Sequence, residues 1–145
     1  MTTANTTIVR RFFDEVCNGR KPEVADEIFA RDHMHHDPAN PGIVNGPEAM
    51  KQLTSIYQNA FSDALWTMDE MMVSGDRVIV RWTGTGTHDG VLAGVSPTGK
   101  KVKTTGIWIY RVAQGKIAES WDVWDAFGLF QQLGAVSLPG QAANA

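Results

Sequence analysis

The stretch Ile117-Ala118-Glu119-Ser120-Trp121-Asp122-Val123-Trp124-Asp125 places a carboxylate between two tryptophans in what reads as a β-strand. Side chains alternate across a strand. Ser120, Asp122 and Trp124 therefore share one face, and Glu119, Trp121, Val123 and Asp125 the other. If the face of Asp122 covers the helices, its carboxyl sits among apolar neighbours. Desolvation would raise its pKa and suit it to proton transfer near neutral pH. A surface carboxylate or a hydrogen-bonded structural aspartate would fit the same alternation.

The histidines are His33, His35, His36 and His88. The first three lie beside Asp37, which suggests a metal cluster at first sight. The spacing argues against one: no second ligand motif occurs and no helix carries an HxxE pair. No metal is expected. A histidine at the mouth of a pocket, acting as a hydrogen-bond donor, is the better reading. Trp66, Trp82, Trp108, Trp121 and Trp124 all fall in predicted strands. Core packing accounts for most of them. Trp82, Trp108 and Trp124 nevertheless share parity with Gly84, Gly106 and Asp122, and aromatics beside glycine gaps can wall a cavity for a flat apolar ligand. Met68, Met71 and Met72 could line the same space or fill core. Phe13 and Tyr57, on helical stripes, complete the candidate substrate-binding set with Trp82, Gly106, Trp108 and Trp124. There is no GxGxxG after a strand, no phosphate loop, no GxSxG and no triad order. Covalent chemistry is poorly supported and no cofactor is expected.

The elements that must position these residues divide the chain in two. Apolar residues at Ile8, Val9, Phe12, Phe13, Val16 and Cys17 predict a one-faced helix over 6–18, stopped at Asn18-Gly19. Pro22 opens a short helix through Phe29. Residues 30–46 read as irregular. Pro47 starts a third helix with Met50, Leu53, Ile56, Tyr57, Ala60 and Phe61 on one stripe. From there the period changes to two. Strands are predicted near 65–73, 77–88, 101–112 and 116–126, with turns at Ser74-Gly75-Asp76 and Ala113-Gln114-Gly115-Lys116. A short helix, GLFQQLG, closes the fold, and the tail over 135–145 is expected to be mobile. Helices followed by sequential antiparallel strands make an α+β protein, three helices on one face of a curved sheet.

The chain has 145 residues, 43% of them hydrophobic and 20% charged, which fits one domain with its core over about 6–134. Thirteen Lys and Arg against sixteen Asp and Glu give a net charge of −3, so nothing in the balance attracts nucleic acid. No apolar stretch is long enough for a membrane span, and the opening MTTANTTIVRR has no signal-peptide core. Cys17 stands alone and reads as a buried thiol, compatible with a cytoplasmic setting.

Over about residues 8–134 the chain resembles the SnoaL-like polyketide cyclases of the nuclear-transport-factor-2-like (NTF2-like) superfamily. The resemblance is carried by IVRRFFDEVCNGR, NGPEAM, GTHDGVLAGVSPTGK and GKIAESWDVWDAFGLFQQLG. It implies a cone-shaped barrel, a strongly curved antiparallel sheet around a pocket closed by N-terminal helices. It implies cofactor-free ring closure by intramolecular aldol condensation. The family's catalytic aspartate, the general acid/base, matches Asp122, six residues before the glycine of GLFQQLG. Asp125 matches a structural position, the polar pocket position falls on His35, and the histidine before the next glycine on His88. Where anthracycline cyclases carry a glutamine and a histidine, this chain has Gly106 and Trp108, which makes the pocket more apolar. In the mechanism this implies, carboxylate Asp122 takes a proton from a carbon flanked by carbonyls, the carbanion attacks a ketone of the same molecule, and protonated Asp122 returns the proton to the alkoxide. His35 or His88 could steady an oxygen. The same pocket would serve another lyase, an isomerase or an epoxide hydrolase, or a non-catalytic ligand-binding or dimerisation module. The expected ligand is a small hydrophobic molecule. The expected assembly is a homodimer through the outer-face residues Ile107, Ile109, Trp121 and Val123.

Overall fold

A computed structural model describes residues 2–141. Helix α1 (Thr2–Arg11) runs into a π-helical segment (Phe12–Asn18), a 3-10 turn (Pro22–Val24) and the short α2 (Ala25–Ile28). Then come β1 (Phe29–His36), α3 (Gly46–Ala60), β2 (Leu65–Ser74), β3 (Arg77–Thr87), β4 (Lys101–Ala113), β5 (Lys116–Trp124) and α4 (Ala126–Gln132). The strands form one sheet in the order β1-β5-β4-β3-β2. β2 to β5 pair antiparallel as consecutive neighbours, and β1 pairs parallel to β5.

The α+β class and the curved sheet agree with the sequence. Two expectations need correction. Residues 30–46 are not wholly irregular, because β1 forms over Phe29–His36. Its inward positions are Phe29, His33 and His35, all buried, while Met34 and His36 face out. Alternation is present, but histidines carry it, so it does not read as apolar. The three helices are also not all N-terminal to the sheet. α3 follows β1, and the sheet is mixed because β1 is parallel. The first helix begins before residue 6 and widens to π geometry at Phe12. Phe12, Phe13, Val16 and Cys17 are all buried on that segment. Short π segments occur often beside functional sites. The tail expected to be mobile falls partly on residues 142–145, which lie outside the described residues.

The core lies between the helical layer and the inner sheet face. Phe12 packs edge-on against Phe29 at 5.3 Å and Trp108 at 5.1 Å between ring centroids. Close approach explains two glycines. Gly106 pairs with Trp82 across to β3 and with Trp124 across to β5. A Cβ at Gly106 would lie 2.6 Å from Trp124 Cβ and 2.8 Å from Trp82 Cε2. A Cβ at Gly86 would meet Phe61 at 2.8 Å. Glycine there lets large rings lie against the sheet.

Beyond β5, Asp125 leaves the strand and caps α4: its Oδ1 accepts from the Gly128 N–H at 2.8 Å. A capping carboxylate satisfies a donor that the first helical turn leaves free. α4 contributes Leu129 to a second apolar cluster with Phe61, Leu92, Val102 and Leu133. Asp125→Ala is expected to lower stability by about 1 kcal/mol, measured as a lower urea midpoint at unchanged m-value.

Candidate active site

The inner face of the sheet and α3 flank an apolar cavity. Phe12 and Cys17 from the π segment, Leu53, Tyr57 and Phe61 on and just beyond α3, and Trp66, Trp82, Trp108 and Trp124 from the sheet line it. Two carboxyls reach the lining, those of Asp37 and Asp122. No Lys or Arg does among the described residues.

Asp122 is 4% exposed. Its Oδ1 accepts from Trp82 Nε1 at 3.2 Å. Burial pushes the Asp122 carboxyl well above the usual carboxylate range, the charge of Asp37 adds to that, and the Trp82 hydrogen bond opposes it. The pattern fits a carboxylic acid held neutral in an apolar site.

Asp37 is 5% exposed and sits just past the end of β1. Its Oδ1 accepts from the Ala39 N–H at 2.9 Å, its Oδ2 from Asn40 Nδ2 at 2.8 Å, and both oxygens face Trp124 Nε1 at 3.3 Å. Asn40 reaches on to Tyr57, whose hydroxyl donates to Asn40 Oδ1 at 3.2 Å. Burial pushes the Tyr57 phenol up to about 12. Tyr57 also meets Trp124 edge-on at 5.6 Å.

Next to Asp122 on β5, Ser120 is wholly buried between two imidazoles. Its Oγ lies 2.8 Å from His33 Nε2 and 2.8 Å from His35 Nδ1. Burial lowers both histidines to about 4, so both are neutral near pH 7. The His35 ring tilts against Trp108 at 5.4 Å. His35 Nε2 and Trp108 Nε1 are buried without a hydrogen-bond partner.

The candidate residues therefore fall into two groups. The structure brings Asp122, Trp82, Trp108, Trp124 and Tyr57 together on the cavity wall. The other four stand back from the lining. Phe13 backs Trp108 at 6.3 Å, Gly106 lies against the Trp82 ring and the Trp124 Cβ, and His35 sits behind Trp108. His88 lies against Phe61, and its Nδ1 accepts from the Thr98 N–H at 3.1 Å. Sequence reasoning missed Asp37 as a cavity residue. The signal was there: residues 33, 35 and 37 share parity once β1 is seen as a strand.

A curved mixed sheet, with helices over its inner face and an apolar cavity between them, defines an NTF2-like fold. The sequence profile of the SnoaL-like polyketide cyclases matches residues 7–133, and the chain belongs to that family. It is 29% identical over 134 residues to the aklanonic acid methyl ester cyclase DnrD of Streptomyces peucetius, covering 88% of each chain. It is 30% identical over 118 residues to the nogalonic acid methyl ester cyclase of Streptomyces nogalater, covering 80% of this chain and 87% of that one. Among solved structures, TsrD from Streptomyces laurentii superposes with a TM-score of 0.82 at 27% identity, covering 92% of this chain and 97% of that one.

Burial of these groups fixes the sign of the pH dependence of stability. His33 and His35 have folded pKa values below the unfolded value of 6.5, so the unfolded chain binds more protons between about 4 and 6.5. Their contribution is complete above about 6.5 and is lost as pH falls towards about 4. Asp122 has a folded pKa above its unfolded value of 3.8, so its contribution declines as pH rises from there. Between about 4 and 6.5 the two imidazoles and the carboxyl therefore act in opposite directions. Urea unfolding at a series of pH values is expected to show stability falling as pH drops from about 6.5 towards about 4, and Asp122→Asn should steepen that loss by removing the opposing contribution.

Proposed function

We propose that this protein catalyses cofactor-independent ring closure of a hydrophobic polyketide-type carbonyl compound by intramolecular aldol condensation. The observation that carries this reading is the Asp122 carboxyl, 4% exposed, on the wall of an apolar cavity with one hydrogen bond to hold it. Asp122 exchanges one proton with the substrate at each end of the reaction: a C–H proton leaves the nucleophilic carbon and an O–H forms at the attacked ketone. Both reacting carbons belong to one molecule, so a cavity that folds the chain into a near-attack shape supplies much of the rate. The similarity to two methyl ester cyclases supports the reaction class.

The inner face of β4 presents Gly106 and Trp108 where the site needs shape, with no charged side chain there. That favours a flat, apolar substrate with few polar groups. Asp122→Asn keeps the shape of the side chain and removes its proton exchange. With a panel of aromatic β-keto esters followed by visible absorbance, the variant is expected to lose about 10²–10⁴-fold in kcat. Ligand affinity should remain within a few-fold. Unchanged turnover would reject Asp122 as the acid/base.

The same reading includes a homodimer through the outer sheet face. Ile107 and Val123 pair across β4 and β5 and are 50% and 67% exposed. Trp121 beside them is already covered by His36 at 5.3 Å and by the Arg77 guanidinium at 5.0 Å. Light scattering at micromolar concentration should give twice the chain mass, and Val123→Lys should give the monomer. A wild-type monomer would refute the pairing.

A further inference from the structure

Two carboxyls share one apolar cavity here, and their surroundings differ. The parallel ladder between β1 and β5 pairs His35 with Ser120 and His36 with Trp121. Asp37 follows His36 directly, just past the end of that ladder. Both residues reach the lining. The indoles between them are shared out: Trp124 donates to Asp37 and Trp82 to Asp122, with the two rings 6.4 Å apart.

The donor count separates the two acids. Asp37 faces three donors, the Ala39 N–H, Asn40 Nδ2 and Trp124 Nε1. A carboxylate accepts from all of them, whereas a carboxylic acid must find an acceptor for its own proton. Asp122 faces one donor, at 3.2 Å. Every other titratable group around Asp122 is neutral near pH 7. Tyr57 on α3, Cys17 on the π segment and Tyr110 on β4 are all raised by burial, and His33 and His35 on β1 are lowered by it. Among the described residues, no Lys or Arg lines the cavity to offset a second negative charge. Like charges that share an apolar site do not both ionise readily.

We propose that Asp37 and Asp122 form an unequal pair in which Asp37 carries the negative charge and holds Asp122 in its acid form, so that Asp122 meets the substrate as proton donor first and base second. This rests on the acid/base reading of Asp122 and reverses the order of its two proton transfers. The substrate reacts as its enol. The enol carbon bonds to the ketone carbon, the ketone oxygen takes the Asp122 proton to become a hydroxyl, and the Asp122 carboxylate then takes the former enol O–H proton. One C–C bond and one O–H bond form, the ketone C=O π bond opens, the enol returns to a carbonyl, and Asp122 ends as it began. The substrate class this favours is a 1,3-dicarbonyl compound, which enolises without a strong base. Asp37 acts through Asp122, as a positioning residue.

The test is ¹³C NMR of protein labelled at the aspartate carboxyl carbons, with the Asp122 signal assigned by its loss in Asp122→Asn. In wild type the Asp122 signal is expected to be that of the acid at pH 7 and to titrate above it. In Asp37→Asn the midpoint should fall by at least about one pH unit, and in Asp37→Ser likewise if the amide disturbs folding. A role for Asp37 confined to holding the 37–45 loop would leave that midpoint in place. An ionised Asp122 at pH 7 in wild type, or an unmoved midpoint in a folded variant, would overturn the pair. The titration needs no substrate. The expected titration without turnover on any carbonyl substrate would support the pair and count against ring closure; turnover with an ionised resting Asp122 would do the reverse.

Discussion

The parallel ladder between β1 and β5 decides what surrounds Asp122. β5 would otherwise be an edge strand, with its backbone groups and half of its inner face open to water. β1 closes that edge and brings His33 and His35 to Ser120 at 2.8 Å each. The chain beyond it then folds back: the His35 N–H donates to the Val44 carbonyl at 2.6 Å, and Asp37, Asn40 and Tyr57 tie the intervening loop to α3. Each contact removes water from the neighbourhood of Asp122. Placing a polar strand at this edge thus sets two buried imidazoles beside β5, each with one ring nitrogen on Ser120 Oγ and the other without a partner.

The aromatic layer depends on the same economy of space. Trp82 and Trp124 can lie over the sheet only because Gly106 between them has no Cβ. Each ring then gives its indole N–H to one of the two cavity carboxyls, Trp82 to Asp122 and Trp124 to Asp37. Large apolar faces and single polar edges let one residue type supply both the low dielectric and the hydrogen bond. A lysine or arginine in either place would stabilise a charged Asp122 and lower its pKa. The site's acidity therefore follows from an absence of cations among the lining residues as much as from burial itself.

Much of this was legible in the chain, and the rest failed for physical reasons. The strands β3 to β5 showed themselves because Val78, Val80, Trp82, Trp108, Tyr110 and Asp122 keep strict alternation. The same parity placed Trp82, Trp108, Trp124 and Asp122 on one wall without any structure. β1 was missed because its buried positions include His33 and His35, which count as polar until a partner such as Ser120 is known. Asp37 was missed with it, since its parity means nothing outside a strand. The π turn left no mark: Phe12, Phe13, Val16 and Cys17 read equally well as one stripe of an α-helix. Gly106 read as a gap for ligand, and the space is filled by the Trp82 indole and the Trp124 Cβ. A glycine shows that something comes close, not what.

The histidine pair and the acid pull the protein in opposite directions, and that opposition constrains how such a site can be built. Burial works against the charged form of each, lowering the imidazoles and raising the carboxyl. Replacing Asp122 with an apolar residue would remove a penalty that grows with pH. The fold keeps it, and keeps beside it a second carboxyl whose charge enlarges that penalty. A structural role does not explain this choice, because Asp122 has a single 3.2 Å hydrogen bond and ends no helix or turn. What a buried acid with few partners can do is exchange a proton with whatever enters the cavity. Sites where local stability is given up for an unpaired, pKa-shifted group are the ones where chemistry is expected.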